Sequence, residues 1–230
     1  MEITIILVEP EISGNLGACA RIMKNFGVKK LVLINPKAQI NQEARNRAKW
    51  AQEILENAQL QTNLENELKN YDAVIGTSGK LGNDYNITRS PIPVREISNH
   101  EEIDGNIAIV LGRESIGLTN QEIQMCEFLI TIPTNKEYPV LNLSHALGII
   151  LYEFSNIKNK ENLTKEHKKA SIAEKHQIHK LLDGILETLE FTTEEKKETQ
   201  RKVWKKIIGK AMLTKREANA VLGFLKKIKE

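Results

Sequence analysis

The chain has 230 residues, of which 40% are hydrophobic and 27% charged, proportions and length that suit one mid-sized globular core with a small extension. No apolar run approaches the ~18 residues a bilayer-spanning helix needs. The start, Met1-Glu2-Ile3-Thr4, carries no basic region or cleavage signal, so a cytoplasmic protein without membrane contact is expected. The two cysteines, Cys19 and Cys126, form no CxxC, and the five histidines are scattered; buried thiols and no metal are the expectation.

The net charge of +3 is unevenly spread. Residues 1–155 carry 14 Lys+Arg against 19 Asp+Glu, a balance of −5, whereas residues 156–230 carry 19 against 11, a balance of +8. A basic tail on a mildly acidic body suits a polyanion such as nucleic acid; a solvated lysine-rich surface gives the same composition.

In chain order, Ile3–Val8 is an apolar run of the kind that forms a buried parallel strand. Gly14–Phe26 has helical spacing through Leu16, Ala20 and Met23 and stops at Gly27. Lys30–Ile34 is a strand, Asn41–Asn57 a helix, Ala73–Gly76 a strand ending in Thr77-Ser78-Gly79, and Ile107–Leu111 a strand running into Gly112-Arg113-Glu114. Phe128–Ile132 is a further strand, and Leu143, Leu147, Ile150, Leu151 and Phe154 mark one helix face. Repeated β-α units imply a mostly parallel sheet with helices on both faces. Residues 156–165 read as a polar linker. Beyond it the pattern is helical, with an apolar stripe from Ile178 to Leu189 and two capping boxes, Thr192 with Glu195 and Thr214 with Glu217, giving three helices.

Three segments carry chemistry. In Asn15–Gly27, Asn15 or Ser13 is placed to cap the helix. Arg21 lies among Ala18, Ala20, Ile22 and Met23; read as buried, its guanidinium needs an anionic partner, either a structural carboxylate or an RNA phosphate. In Ile109–Leu118, Arg113 and Glu114 follow a strand end, where open α/β sheets collect ligands, although a plain surface turn looks the same. In Ile132–Ala146, Asn142 and Ser144 stand at a helix start, where capping alone would account for them.

The order and spacing of these segments resemble the SpoU branch of the SPOUT methyltransferases. Asn15–Gly27 is similar to that family's motif 1, Ile109–Leu118 to motif 2, and Ile132-Pro133 through Ala146 to motif 3. The likeness covers about residues 1–155, and the N-terminal start and helical extension are closest to the TrmJ group. The resemblance implies an α/β fold, a mostly parallel sheet with helices on both faces and a C-terminal trefoil knot, over residues 1–157. Residues 158–230 are then expected to form a basic helical extension that binds tRNA or braces a dimer. It implies S-adenosylmethionine as cofactor, held by Thr77, Ser78, Gly79, Gly112, Ile132, Pro139, Val140 and Leu141, and a homodimer. The implied activity is 2′-O-methylation of a ribose in tRNA, at position 32 of the anticodon loop. The implied catalytic set is Asn15, Arg21, Glu114, Asn142 and Ser144, with Arg21 on the RNA side as phosphate clamp rather than base. One departure is Val140, where some bacterial members of the TrmJ group carry a serine; Ser144 appears instead.

In the extension, Arg201 with Lys205 and Lys202 with Lys206 are i,i+4 pairs, expected to form one RNA-binding patch. Rival readings are an rRNA methyltransferase, a noncatalytic RNA-binding module, and a nucleotide-cofactor oxidoreductase. The last needs a glycine-rich turn after the first strand, where Glu9-Pro10-Glu11 stands.

Overall fold

Seven parallel strands organise the first part of the chain in the computed structural model, which describes residues 1–79, 91–97, 105–160, 170–211 and 213–229. The chain divides into two units, Met1–Asn162 and Leu163–Glu230.

In the first unit the elements are β1 (Glu2–Val8), α1 (Ser13–Asn25), β2 (Lys30–Ile34), α2 (Gln42–Ala48), a 3-10 turn (Lys49–Ala51), α3 (Gln52–Glu56), β3 (Gln59–Gln61), α4 (Leu64–Leu68), β4 (Ala73–Thr77), β5 (Ile92–Pro93), α5 (Val94–Ile97), β6 (Asn106–Leu111), α6 (Asn120–Met125), β7 (Phe128–Thr131) and α7 (Leu143–Lys160). The strand order is β3-β2-β1-β6-β4-β7-β5. Every neighbouring pair is parallel. Ile5 of β1 pairs with Leu31 on one side and Ile109 on the other.

The strand runs are continuously apolar because both sheet faces are covered. Ile6, Val8, Val32, Ile34, Ala108 and Val110 pack with Leu64 and Leu68 of α4 and Ile123 of α6. Alternation turns Ile5, Leu7, Leu31, Leu33 and Ile109, all buried, to the opposite face. There α1 packs on α7, and also on α2, the 3-10 turn and α3. Contact of α1 with α2 depends on Gly17. A methyl group there would lie 2.0 Å from the Ala44 carbonyl oxygen, inside any tolerable distance.

The second unit contains α8 (Ile172–Thr188), α9 (Glu194–Ala211) and α10 (Lys215–Lys229). Its core gathers Ile178, Leu182 and Ile185 with Ile208 and with Ala218, Leu222 and Leu225. Thr214 and Glu217 form the expected reciprocal cap. No helix among the described residues is long and apolar enough to cross a membrane.

Several expectations differ from what is found. The helix expected over Asn41–Asn57 breaks at Lys49, whose φ is +53°, because Ala51, Ile54 and Leu55 must all be buried. Of the expected linker at 156–165, residues 156–160 continue α7, since they include no glycine or proline to stop it, and residues 161–165 lie outside the described residues. The cap of α9 is Thr193, whose hydroxyl accepts from Lys196 N, and not Thr192. A reciprocal cap at Ser171 and Glu174 opens α8 and was not foreseen, nor were β3, α4, β5 and α6.

The Gly17 contact generates the first prediction. Gly17→Ala forces backbone against backbone, so unfolding in urea should show a loss of about 3 kcal/mol, with little change in the denaturant slope.

Candidate active site

The carboxyl ends of four adjacent strands deliver loops to one edge of the sheet. β4 ends in Thr77-Ser78-Gly79, β6 in Gly112–Gly117, and β7 in the segment from Ile132 to Leu141, while β1 ends in Glu9-Pro10-Glu11. The first three line a cleft of about 920 Å³, its open mouth included, together with the start of α7. All eight residues expected at the cofactor line it: Thr77, Ser78, Gly79, Gly112, Ile132, Pro139, Val140 and Leu141. The β6 loop is folded tightly on itself. A Cβ at Gly112 would lie 2.2 Å from the Gly117 carbonyl carbon, and Gly117 has φ +71°. Leu111, Ile116, Ile130 and Ile150 make much of the wall apolar, and Thr77 and Ser78 add hydroxyls.

At the mouth, four of the five expected catalytic residues join in one chain of hydrogen bonds. Asn142 Nδ2 donates to Asn15 Oδ1 at 3.1 Å, and Asn15 Nδ2 donates to Glu114 Oε1 at 2.8 Å. Asn142 Oδ1 accepts from Ser144 N at 2.9 Å and from Ser144 Oγ at 2.8 Å. Capping and site assembly are therefore the same act: Asn142 caps α7 with its oxygen, which turns its amide nitrogen toward Asn15. Asn15 is 3% exposed, and a buried amide needs these partners.

Neither Asn15 nor Ser13 caps α1, whose N-cap position is Ile12 and has no side-chain cap. Glu114 takes over that role from another loop. Its carboxylate accepts from Glu11 N at 2.8 Å and from Ile12 N at 3.3 Å, placing negative charge at the positive end of the helix.

A second set of contacts, centred on Arg113 and not read from the sequence, fixes the β6 loop. Arg113 is 9% exposed, and its guanidinium holds Glu122 with two bonds of 2.9 Å and Glu9 at 2.8 and 3.1 Å. Glu122 also accepts from Thr119 N at 2.8 Å as part of the α6 cap. Glu11 accepts from Ser115 N at 3.1 Å, and Lys37 reaches Glu9 and Glu11 at 3.3 and 3.5 Å. The hydrogen bond from Arg113 is the main reason that Glu9 titrates at about 2 rather than in the usual carboxylate range. Burial works against ionisation of Glu122, yet bonds from Arg113 and Thr119 hold it below its ordinary value. The signal for this clamp was present in Glu9 and Glu11, two carboxylates at the strand end where a phosphate-binding loop would have glycine.

Arg21 stands apart from the network. It is exposed, contrary to the burial expected from its neighbours, and no ion pair or hydrogen bond among the described residues engages it. The buried face of α1 is Leu16, Cys19, Ala20 and Met23, and Arg21, about 120° around the helix from Asn15, lies outside it. In the second unit Arg201 is held by Asp183, Glu187 and Glu198. Its charge is therefore matched internally, which departs from the expected four-residue patch. Lys202 and Lys205 are exposed and Lys206 is half-buried. Cys19 and Cys126 are buried and not joined in a disulfide, and no group of His, Cys, Asp and Glu among the described residues is arranged to hold a metal.

Residues 2–152 match the family described as the SpoU rRNA Methylase family. The chain belongs to the SpoU methylase family. It is 38% identical to a tRNA (cytidine-2′-O-)-methyltransferase TrmJ of Methanocaldococcus jannaschii, over 97% of this chain and 98% of that one. It is 34% identical to the TrmJ of Sulfolobus acidocaldarius, over 99% and 94%. Among solved structures, a probable methylase family protein from Haemophilus influenzae superposes with a TM-score of 0.68 at 29% identity, over 99% of this chain and 95% of that one. In this SpoU methylase the segments that resemble motifs 2 and 3 are loops that line the cleft, the segment that resembles motif 1 is α1, joined to them through Asn15, and Arg113 fastens the loop after β6.

Removing Arg113 strands two carboxylates, so Arg113→Met should cost about 3–5 kcal/mol at neutral pH. Glu9 has a folded pKa below its unfolded value of about 4.3. Its stabilisation is complete above that value and is lost as pH falls toward about 2. Acid titration of the unfolding free energy should show that loss in the parent protein and a shallower one in Arg113→Met.

Proposed function

We propose that this SpoU methylase transfers a methyl group from S-adenosylmethionine to a ribose 2′-hydroxyl of tRNA, at position 32 of the anticodon loop. The observation that carries the reading is the Asn142–Asn15–Glu114 chain at the mouth of the cleft. The full-length likeness to two tRNA 2′-O-methyltransferases supports it and favours tRNA over rRNA, because it extends through the helical unit.

The cleft suits the donor. Its only cationic wall residue among those described, Arg113, is turned to Glu9 and Glu122, so it offers no phosphate site. Apolar side chains, hydroxyls and strand-end backbone fit an adenine and a sulfonium. We take Thr77, Ser78, Gly79, Gly112, Ile132, Pro139, Val140 and Leu141 as the holding set, in a segment threaded as a trefoil knot. Bound there, S-adenosylmethionine supplies a methyl group activated by its sulfonium charge.

The chain's own task is then to position the ribose and accommodate the charge that develops on its oxygen. In this reading Asn142, Asn15, Glu114 and Ser144 orient the nucleotide at the cleft mouth. Arg21 clamps a neighbouring phosphate and stabilises the oxyanion. It is a poor base, because a guanidinium keeps its proton in proteins with a pKa above ~12; the hydroxyl proton passes to phosphate or water.

A homodimer completes the assembly. Its support is the apolar Ile12, Ile149 and Tyr152, exposed at 47%, 38% and 57% on the paired helices α1 and α7 and their approach. Residues 158–230 serve as the basic extension, with Lys202, Lys205 and Lys206 as phosphate contacts that raise tRNA affinity without choosing the nucleotide. Arg201 serves there as a structural ion partner.

Mass-spectrometric mapping of tRNA incubated with protein and donor tests the reading. A single ribose methyl at position 32 is expected. Arg21→Ala should lower the transfer rate at least ~100-fold while donor affinity in calorimetry stays within about twofold, and Arg21→Lys should not restore it, since a point charge does not replace a planar fork. A parent protein that binds no donor would remove the enzyme reading.

A further inference from the structure

The most exposed large hydrophobic side chain among those described is Trp50, at 92%. It stands at the break between α2 and α3. Lys49 just before it takes φ +53° and ψ −119°, a region that residues with side chains avoid. Such conformations persist only where surrounding structure imposes them, and they concentrate at functional sites. Here the kink sends Ala51 into the core, 1% exposed, and leaves the indole in solvent. The turn is braced from α1: Lys24 Nζ donates to the Trp50 carbonyl at 2.6 Å and pairs with Glu53 at 3.0 Å.

The turn that carries the indole is flanked by charged side chains rather than an apolar rim. Arg21 lies one helical turn before Lys24 on the same side of α1. Lys24, Arg45 and Arg47 are paired with Glu53, Glu56 and Glu43. Arg21 and Lys49 are both exposed, and neither has an ion pair or hydrogen bond among the described residues. A protein partner for a lone indole would be met by an apolar rim, and the exposed neighbours Arg47, Gln52 and Glu53 do not form one. A flat aromatic face beside unmatched cations is what an unpaired nucleobase and its phosphates require.

We propose that Trp50 is a stacking platform for an unpaired nucleotide of the substrate RNA, with Lys49 and Arg21 holding the adjoining phosphates. This rests on the reading of the chain as an RNA methyltransferase and adds a contact outside its cleft. The strip from Arg21 through Lys24 to Trp50 carries the RNA away from the catalytic mouth along α1. Stacking is indifferent to base identity, so the platform contributes affinity and register, and its loss appears in KM rather than in kcat.

The full chain carries two tryptophans, Trp50 and Trp204, so a Trp204→Phe background leaves Trp50 as the sole indole reporter. Titration with an in vitro tRNA transcript should quench its emission. Trp50→Ala should raise the tRNA Kd and KM about tenfold, leaving kcat and donor affinity unchanged. Trp50→Phe should recover most of the loss, and Lys49→Gln should raise Kd about threefold with a smaller salt slope. Trp50→Ala with parent Kd and KM, in a protein that methylates tRNA and loses this with Arg21→Ala, overturns the platform and leaves the functional reading standing. A parent protein that neither binds nor methylates tRNA overturns both. Sedimentation that shows Trp50→Ala breaking a parent dimer makes Trp50 a subunit contact and also overturns the platform.

Discussion

The site depends on the direction of one hydrogen-bond chain. A carboxylate can only accept, so Glu114 requires nitrogen donors, and Asn15 must turn its amide nitrogen to it. That leaves the Asn15 oxygen to accept from Asn142. The Asn142 oxygen is then free for Ser144 and the start of α7. Each amide has one orientation that satisfies both neighbours. Replacing either asparagine with a residue that offers only donors or only acceptors breaks the order, not merely one bond. Because Glu114 also stands where α1 lacks a cap, the same carboxylate ties the helix start to the β6 loop, and Asn15 extends the tie to Asn142 after β7.

Around this chain the fold supplies rigidity in layers. The parallel sheet sets the four strand ends side by side. Arg113 then fastens the β6 loop to the β1 end and to α6 through Glu9 and Glu122. The partners of a buried guanidinium are a structural commitment, since leaving either carboxylate unmatched in a low-dielectric site is costly. The division of labour between neighbours is clean: Arg113 points to the scaffold and Glu114 to the site, as adjacent residues on a turn must.

Much of this was legible in the sequence. The strands β1, β2, β4, β6 and β7 were readable because a sheet buried on both faces demands unbroken apolar runs. The loops after β4, β6 and β7 were readable as cleft-forming because strand ends of open α/β sheets gather there. The short β3, with all three residues exposed, and the two-residue β5 leave no such run and were invisible. The break at Lys49 was also hidden, since a helical period continues across it and only tertiary burial of Ala51 forces the kink. Asn142 was legible as a cap, but its second bond was not, because Asn15 is 127 positions away. Arg21 was misjudged as buried since its apolar neighbours in sequence face a different side of α1. The likeness to SpoU proteins singled out Asn15, Arg21, Glu114, Asn142 and Ser144 as a group; the residues alone left capping and catalysis undecided.

The long separations within the site bear on how the protein comes into being. Glu114 bonds residues 99 to 103 positions earlier, and Asn142 bonds one 127 earlier. Contacts this distant in sequence close large loops, and such contacts are slow to form. During synthesis the strand ends of β1, β2 and β4 emerge long before the residues that will complete the site. Competence therefore arrives late and all at once, when the loop after β7 docks on α1. A nascent or partly folded chain holds α1 and the end of β1 but not the hydrogen-bond chain that joins them to the loops after β6 and β7, so the scaffold exists before the site does.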